Sequence, residues 1–159
     1  MQKKSFVMTM ACAMLLLGCG RKTPHPPMVA YIDGALIPSA AERVDFVRGL
    51  LAPGATLDMV DADFILIQRF KGERAAEPLE AVFFGHLALA PGAAAALKAR
   101  MKPMPRPPYA APETNPAWWP AQNEFEAMEF FETKGIFKYP SGFAAFDQGG
   151  GVVVMDAKP

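Results

Sequence analysis

Apolar and polar positions follow two different periods along this chain, and the switches between them predict its elements. Val29 to Ile37 is a short, mostly apolar stretch in which Tyr31-Ile32-Asp33-Gly34 reads as a strand running into a turn. Ser39-Ala40-Ala41-Glu42 then has the form of a capping box: the serine side chain accepts from first-turn N–H groups and the glutamate reaches back. Val44, Val47 and Leu51 recur at helical spacing, with Phe46 and Leu50 widening the stripe. This predicts an amphipathic helix over about 40–51, ended by Pro53-Gly54. Thr56 to Phe70 changes character. Asp61 and Asp63 flank Ala62, and Phe64-Ile65-Leu66-Ile67 is a continuous β-prone run, so a strand is expected. Lys71 to Pro78 is charged and alanine-rich, a loop. Leu79 to Leu89, around Val82-Phe83-Phe84, is a second strand that can pair with the first as a hairpin.

Pro91 reads as a helix opener at the first-turn position, followed by Ala93–Ala96, Leu97 and Met101, with Lys98, Arg100 and Lys102 suiting the negative end of the dipole. The pattern then breaks. Pro103 to Pro120 holds so many prolines that neither a helix nor a central strand can form, and an extended loop is expected at 103–120. Gln122 to Thr133 mixes Phe125, Met128, Phe130 and Phe131 with glutamates and is open between helix and strand, with a short strand or turn preferred. Gly142–Asp147 and Val152–Met155 flank a glycine turn, the clearest hairpin in the chain. Together these elements predict an α+β fold: a single small domain with a mainly antiparallel sheet and two helices on one face.

The N-terminus follows neither period. Lys3 and Lys4 precede a run from Phe6 to Leu17 in which only Thr9 is polar, and Leu16-Leu17-Gly18-Cys19 closes it. That is the basic, apolar, small-residue order of a secretion signal. The run is about a dozen residues and reaches ~18 Å as a helix, short of a ~30 Å hydrocarbon core. Its end resembles the lipobox of bacterial lipoproteins, with Leu16 three residues before the cysteine and Gly18 directly before it. The resemblance implies cleavage after residue 18 and a lipid, palmitate among its acyl chains, on Cys19. More than one acyl chain is needed for stable anchoring, and the family's diacylglycerol and amide-linked chain meet that need. Gly20, where an Asp would signal inner-membrane retention, points to the outer membrane of a diderm cell, facing the periplasm. Residues 19–28 then form the lipidated cysteine and a proline-stiffened tether, whose nine residues after Cys19 reach about 28 Å at ~3.1 Å per residue, and residues 29–159 form the domain. Beyond residue 36 the pattern loosely resembles small bacterial lipoproteins with a Trp-Trp-Pro loop and a C-terminal hairpin, a likeness that brings no activity with it.

Composition narrows the chemistry. Sixteen basic residues balance sixteen acidic ones, and loss of Lys3 and Lys4 with the signal leaves a slight acid excess. No clustered basic face suggests nucleic acid. With Cys12 in the signal and Cys19 acylated, the domain has no thiol to spare for a disulfide or a metal. Asp58, Asp61 and Asp63 lack the order of a calcium loop. Glu124, Glu126, Glu129 and Glu132 read as a solvated face. His86, in an apolar run, reads as a satisfied, half-buried histidine, and His25 as part of the tether. No Gly-x-Ser-x-Gly, P-loop, dinucleotide or zinc pattern occurs. No catalytic residue, cofactor or metal ligand is therefore assigned, and no enzyme is expected. Trp118 and Trp119, with Tyr109, are the candidate binding surface, because aromatic faces on a stiff loop suit protein or sugar partners. The reading is a lipid-anchored envelope protein with a non-catalytic binding or structural surface, its partners the membrane and an envelope protein or cell-wall polymer. The alternative is a lipid-anchored cell-wall hydrolase working through carboxylates.

Overall fold

The computed structural model describes residues 28–71, 77–139, 141–147 and 150–158. The signal-like segment, Cys19, His25 and the tether through residue 27 lie outside the described residues, as do most of the predicted 71–78 loop and Gln148-Gly149 of the predicted turn.

Six strands form one antiparallel sheet, ordered β1-β2-β3-β6-β5-β4. They are β1 (Met28–Asp33), β2 (Met59–Phe70), β3 (Glu80–Leu89), β4 (Glu129–Glu132), β5 (Ser141–Phe146) and β6 (Gly151–Lys158). The β2–β3 and β5–β6 hairpins are joined through the centre by β3 and β6, where Gly85 faces Val154 and His86 faces Val153. The domain is α+β. Three short helices accompany the sheet: α1 (Ala40–Arg48), α2 (Ala93–Lys98) and α3 (Gln122–Glu126).

Alternation along the central strands divides the core in two. Ala62, Phe64 and Leu66 of β2, Phe83 and Leu87 of β3, and Val152 and Val154 of β6 point to one face, where Val44 and Val47 of α1 and Leu97 of α2 cover them. These are the two helices expected on one face. Phe84, Phe130, Phe143, Ala145 and Val153 point to the other, under Trp119 and Phe125. That second cover is α3 together with the proline-rich loop.

Local details depart from expectation for identifiable reasons. Ser39 caps α1, accepting from the Glu42 N–H at 3.1 Å, but the helix ends at Arg48 rather than near 51. The next residues are taken by the 133–139 segment: Leu51 bridges Phe137, and Lys138 N donates to Leu50 O at 2.8 Å. Pro91 does not open α2. Gly92 caps that helix with φ 81°, a left-handed conformation natural only to glycine, so the proline lies in the preceding turn. Residues 122–133 resolve into both open choices, helix α3 and then strand β4. Glu124 Oε2 accepts from Ala121 N, half of a capping box, and alanine has no acceptor to complete it.

Candidate functional site

A cleft of about 480 Å³ opens on the second face, where the proline-rich cover stops short of the end of the sheet. Its floor is sheet and its wall is loop. Val82, Phe84 and His86 project to the same face of β3 because strand side chains alternate. Trp119 meets Phe84 edge-on, with centroids 5.3 Å apart at 87°. Two residues further on the cover has ended, and the His86 side chain is 30% exposed.

Asp147 follows β5 at the start of the last hairpin's turn. Its N–H donates to Gly151 O at 3.1 Å, and its Oδ1 accepts from Gly151 N at 2.8 Å, which fixes the carboxylate. Oδ2 is left facing across β6 toward β3, and it accepts from His86 Nε2 at 3.0 Å. Gly151 stands between them. A Cβ there would lie 2.5 Å from Asp147 Oδ2 and 2.7 Å from His86 Nε2, so the pair meets only because this position has no side chain. His86 is thus half-buried and hydrogen-bonded. Its partner, 61 residues away in sequence, was not named among the candidates, and only the Asp147–Gly151 spacing at a turn hints at it.

The aromatic candidates divide. Trp119 is 4% exposed, donates its Nε1–H to Ala110 O at 3.0 Å and helps form the second core. Tyr109 lies edge-on to Phe125 and donates its hydroxyl to Pro120 O at 3.0 Å, tying the middle of the loop to its end. Trp118 is half-buried, set at 79° to Trp119 with centroids 6.0 Å apart, and it lines the cleft. Trp118 therefore presents indole to the cleft while Trp119 anchors it, and Tyr109 stays outside the lining.

The glutamates divide as well. Glu126 accepts from Gln122, Glu129 pairs with Lys98, and Glu132 pairs with Lys102 at 2.8 Å, raising the lysine above its ordinary pKa chiefly through that hydrogen bond. Glu124 alone of the four lines the cleft. On the opposite face, Asp61 grips Arg43 with both oxygens at 2.7 and 2.8 Å, pinning α1 to β2. Among the described residues, no group of three or more His, Cys, Asp or Glu side chains is placed to hold a metal ion. No helix there is long and apolar enough to cross a membrane.

The arrangement offers an aromatic wall, a thioether from Met128, a histidine–carboxylate pair and one further carboxylate in a concavity of small-ligand size. Such a site can bind an apolar body and fix one polar group. Comparison with known proteins yields no match: no family model fits the sequence, and no curated protein or solved structure matches it.

Proposed function

We propose that this is a cell-envelope protein, held to a bilayer by acyl chains on Cys19, that uses the Trp118 cleft as a non-catalytic binding surface. The observation carrying the reading is the cleft itself. A half-buried tryptophan stands at the mouth of a concavity whose floor is the central strands and whose wall is tied down by buried Trp119. Binding sites need such stiffness, because affinity lost to ordering loops on contact is not recovered. The lipobox-like Leu16–Cys19 supports the location. Two measurements test the reading. Metabolic palmitate labelling should mark the wild type and spare Cys19→Ala. The full chain, incubated with isolated envelope fractions, should show a change in tryptophan emission that Trp118→Ala abolishes. Trp118 is the residue to change alone, because Trp119→Ala would open a cavity in the core and confuse loss of fold with loss of binding. Equal labelling of the cysteine variant, or an emission change indifferent to Trp118, would sink it.

One observation favours a second reading: Glu124 and Asp147 line the same cleft, as a carboxylate hydrolase of cell-wall polymer requires. Both are already engaged, Asp147 by His86 and Gly151 and Glu124 by Ala121 N, so binding is preferred. Release of soluble fragments from purified cell wall, lost in Glu124→Gln, would reverse that preference.

A further inference from the structure

The charges around the cleft go further than its shape. Among the described residues its ionisable lining side chains are His86, Glu124 and Asp147, and no lysine or arginine joins them. Asp147 spends one oxygen on Gly151 N and the other on His86. Glu124 differs: Oε2 accepts from Ala121 N, and among the described residues no cation lies within ion-pair distance of it. Its charge thus lines the same cleft as the Trp118 indole without a counter-charge. Glu129 and Glu132 each have a lysine, whereas Glu126, outside the cleft, accepts only from Gln122. Lys98 lies 6.0 Å from the Phe146 ring, which packs with Phe131 on the first face, and it is paired with Glu129.

Resting on the binding reading above, we infer that the cleft takes a ligand bearing an ammonium group on an apolar body, the ammonium lying between Glu124 and the face of Trp118. An indole face attracts a cation through its quadrupole, and partial removal from water strengthens that attraction. Met128 and Ala127 supply contact for the apolar body. A carboxylate or phosphate ligand would meet two like charges in a partly enclosed space and, among the described residues, no lysine or arginine, so anions are disfavoured.

Three probes with the same phenyl body separate the elements of this inference: 2-phenylethylammonium, 2-phenylethanol and 3-phenylpropionate, each titrated into the full chain and followed by tryptophan emission. The ammonium should bind about tenfold more tightly than the alcohol, with the propionate weakest. Glu124→Gln keeps an acceptor for Ala121 N, so α3 keeps its cap. In that variant the preference for ammonium over alcohol should fall about fivefold or more, the ammonium losing more affinity than the alcohol. Added salt should weaken the ammonium alone. Equal affinities, tightest binding of the propionate, or a preference indifferent to Glu124→Gln would overturn the inference while leaving the cleft a binding site. Failure of all three probes would overturn it too, and failure of envelope fractions to perturb Trp118 as well would take the binding reading with it.

Discussion

The two faces of the sheet are covered by different materials, and the openings they leave differ: one of about 470 Å³ on the first face is lined by Gln68, Lys138 and Lys158, while the one on the second carries Trp118. On the first face, α1 and α2 bury Val44, Val47 and Leu97 against Phe64, Phe83 and Leu87. A helix satisfies its own backbone, so its side chains are free to pack continuously. On the second face the cover is largely residues 103–120. Proline removes donors and bars regular structure, so this cover is stitched down one bond at a time: Met104 N to Phe130 O at 2.9 Å, Arg106 to Glu126 O at 3.2 Å, Tyr109 to Pro120 O and Trp119 to Ala110 O. A cover fastened at points can end abruptly, and where it ends His86, Asp147 and Trp118 are left around a cleft. The first face is covered mainly by helices, and the second leaves Trp118 half-buried beside an opening.

The sharpest way to break this contrast is in the first core. Phe64 is fully buried and stacks on Phe46 with centroids 4.7 Å apart at 9°. Phe64→Ala should cost about 3–5 kcal/mol, the usual result for a buried aromatic ring, read as a lower midpoint in denaturant melting. If the cost were no larger than that of changing Trp118, the division of labour between the faces would be false.

Next in size is Asp156, the first face's own buried carboxylate, 1% exposed. Its oxygens accept from Thr133 Oγ1 and Tyr139 N, both at 3.0 Å, holding the 133–139 segment on the sheet. Asp156→Ala leaves a buried N–H without an acceptor and should cost about 1–3 kcal/mol. The wild type should also show a pH signature. Burial pushes the Asp156 carboxyl from 3.8 up to about 7, against the pull of the Tyr139 and Thr133 hydrogen bonds. Between about pH 4 and 7 the folded state keeps a proton that the unfolded chain has lost. The group's contribution is therefore full below about pH 4 and is lost as pH rises through 7, with a slope approaching about 1.4 kcal/mol per unit. Asp156→Asn can still accept from Tyr139 N and should flatten that slope in melts taken from pH 4 to 8. An unchanged slope would assign the pH dependence elsewhere.

How much of this was readable in advance varies with the range of the interaction. The β2 and β3 runs and the β5–β6 hairpin were legible because alternation, β-branched residues and a glycine turn are local signals. The junction of β3 with β6 was not, since His86 opposite Val153 is decided by packing across the whole sheet. Helix lengths were overestimated for the same reason: Leu51 fits the stripe of α1, yet Phe137 claims it. Trp118 and Trp119 are adjacent and chemically identical, and only the tertiary position of Phe84 decides which one is buried. Asp147 was hidden because its role depends on a glycine four residues away and a histidine in another hairpin.

Gly151→Ala tests the cleft's one built-in pair. The new methyl group would collide with Asp147 Oδ2 and His86 Nε2, so the pair must open. The stability cost should be about 1–2 kcal/mol, within the range for overpacking. The decisive reading is the His86 ring, followed by NMR in both proteins. Its Nε2 resonance should move in the variant, because the 3.0 Å hydrogen bond to Asp147 Oδ2 is broken. An unchanged resonance would mean that Asp147 does not hold this histidine.

The smallest expected effect on stability belongs to Trp118→Ala, and its smallness is the point. Trp118 touches the second core only in part, and its edge-on contact with Trp119 is of a kind worth about 0.5–1.5 kcal/mol, so a loss of about 1 kcal/mol is expected. The cleft would lose its aromatic wall at the same time. Melting and binding should therefore separate in this one variant: a midpoint close to wild type, with no response of the remaining tryptophan to a ligand that shifts the wild-type emission. Phe64→Ala should show the reverse at a temperature where it remains folded, with lowered stability and intact binding. If Trp118→Ala unfolded the domain as Phe64→Ala does, the second face would be a core like the first, and the opening beside it an incidental gap in packing.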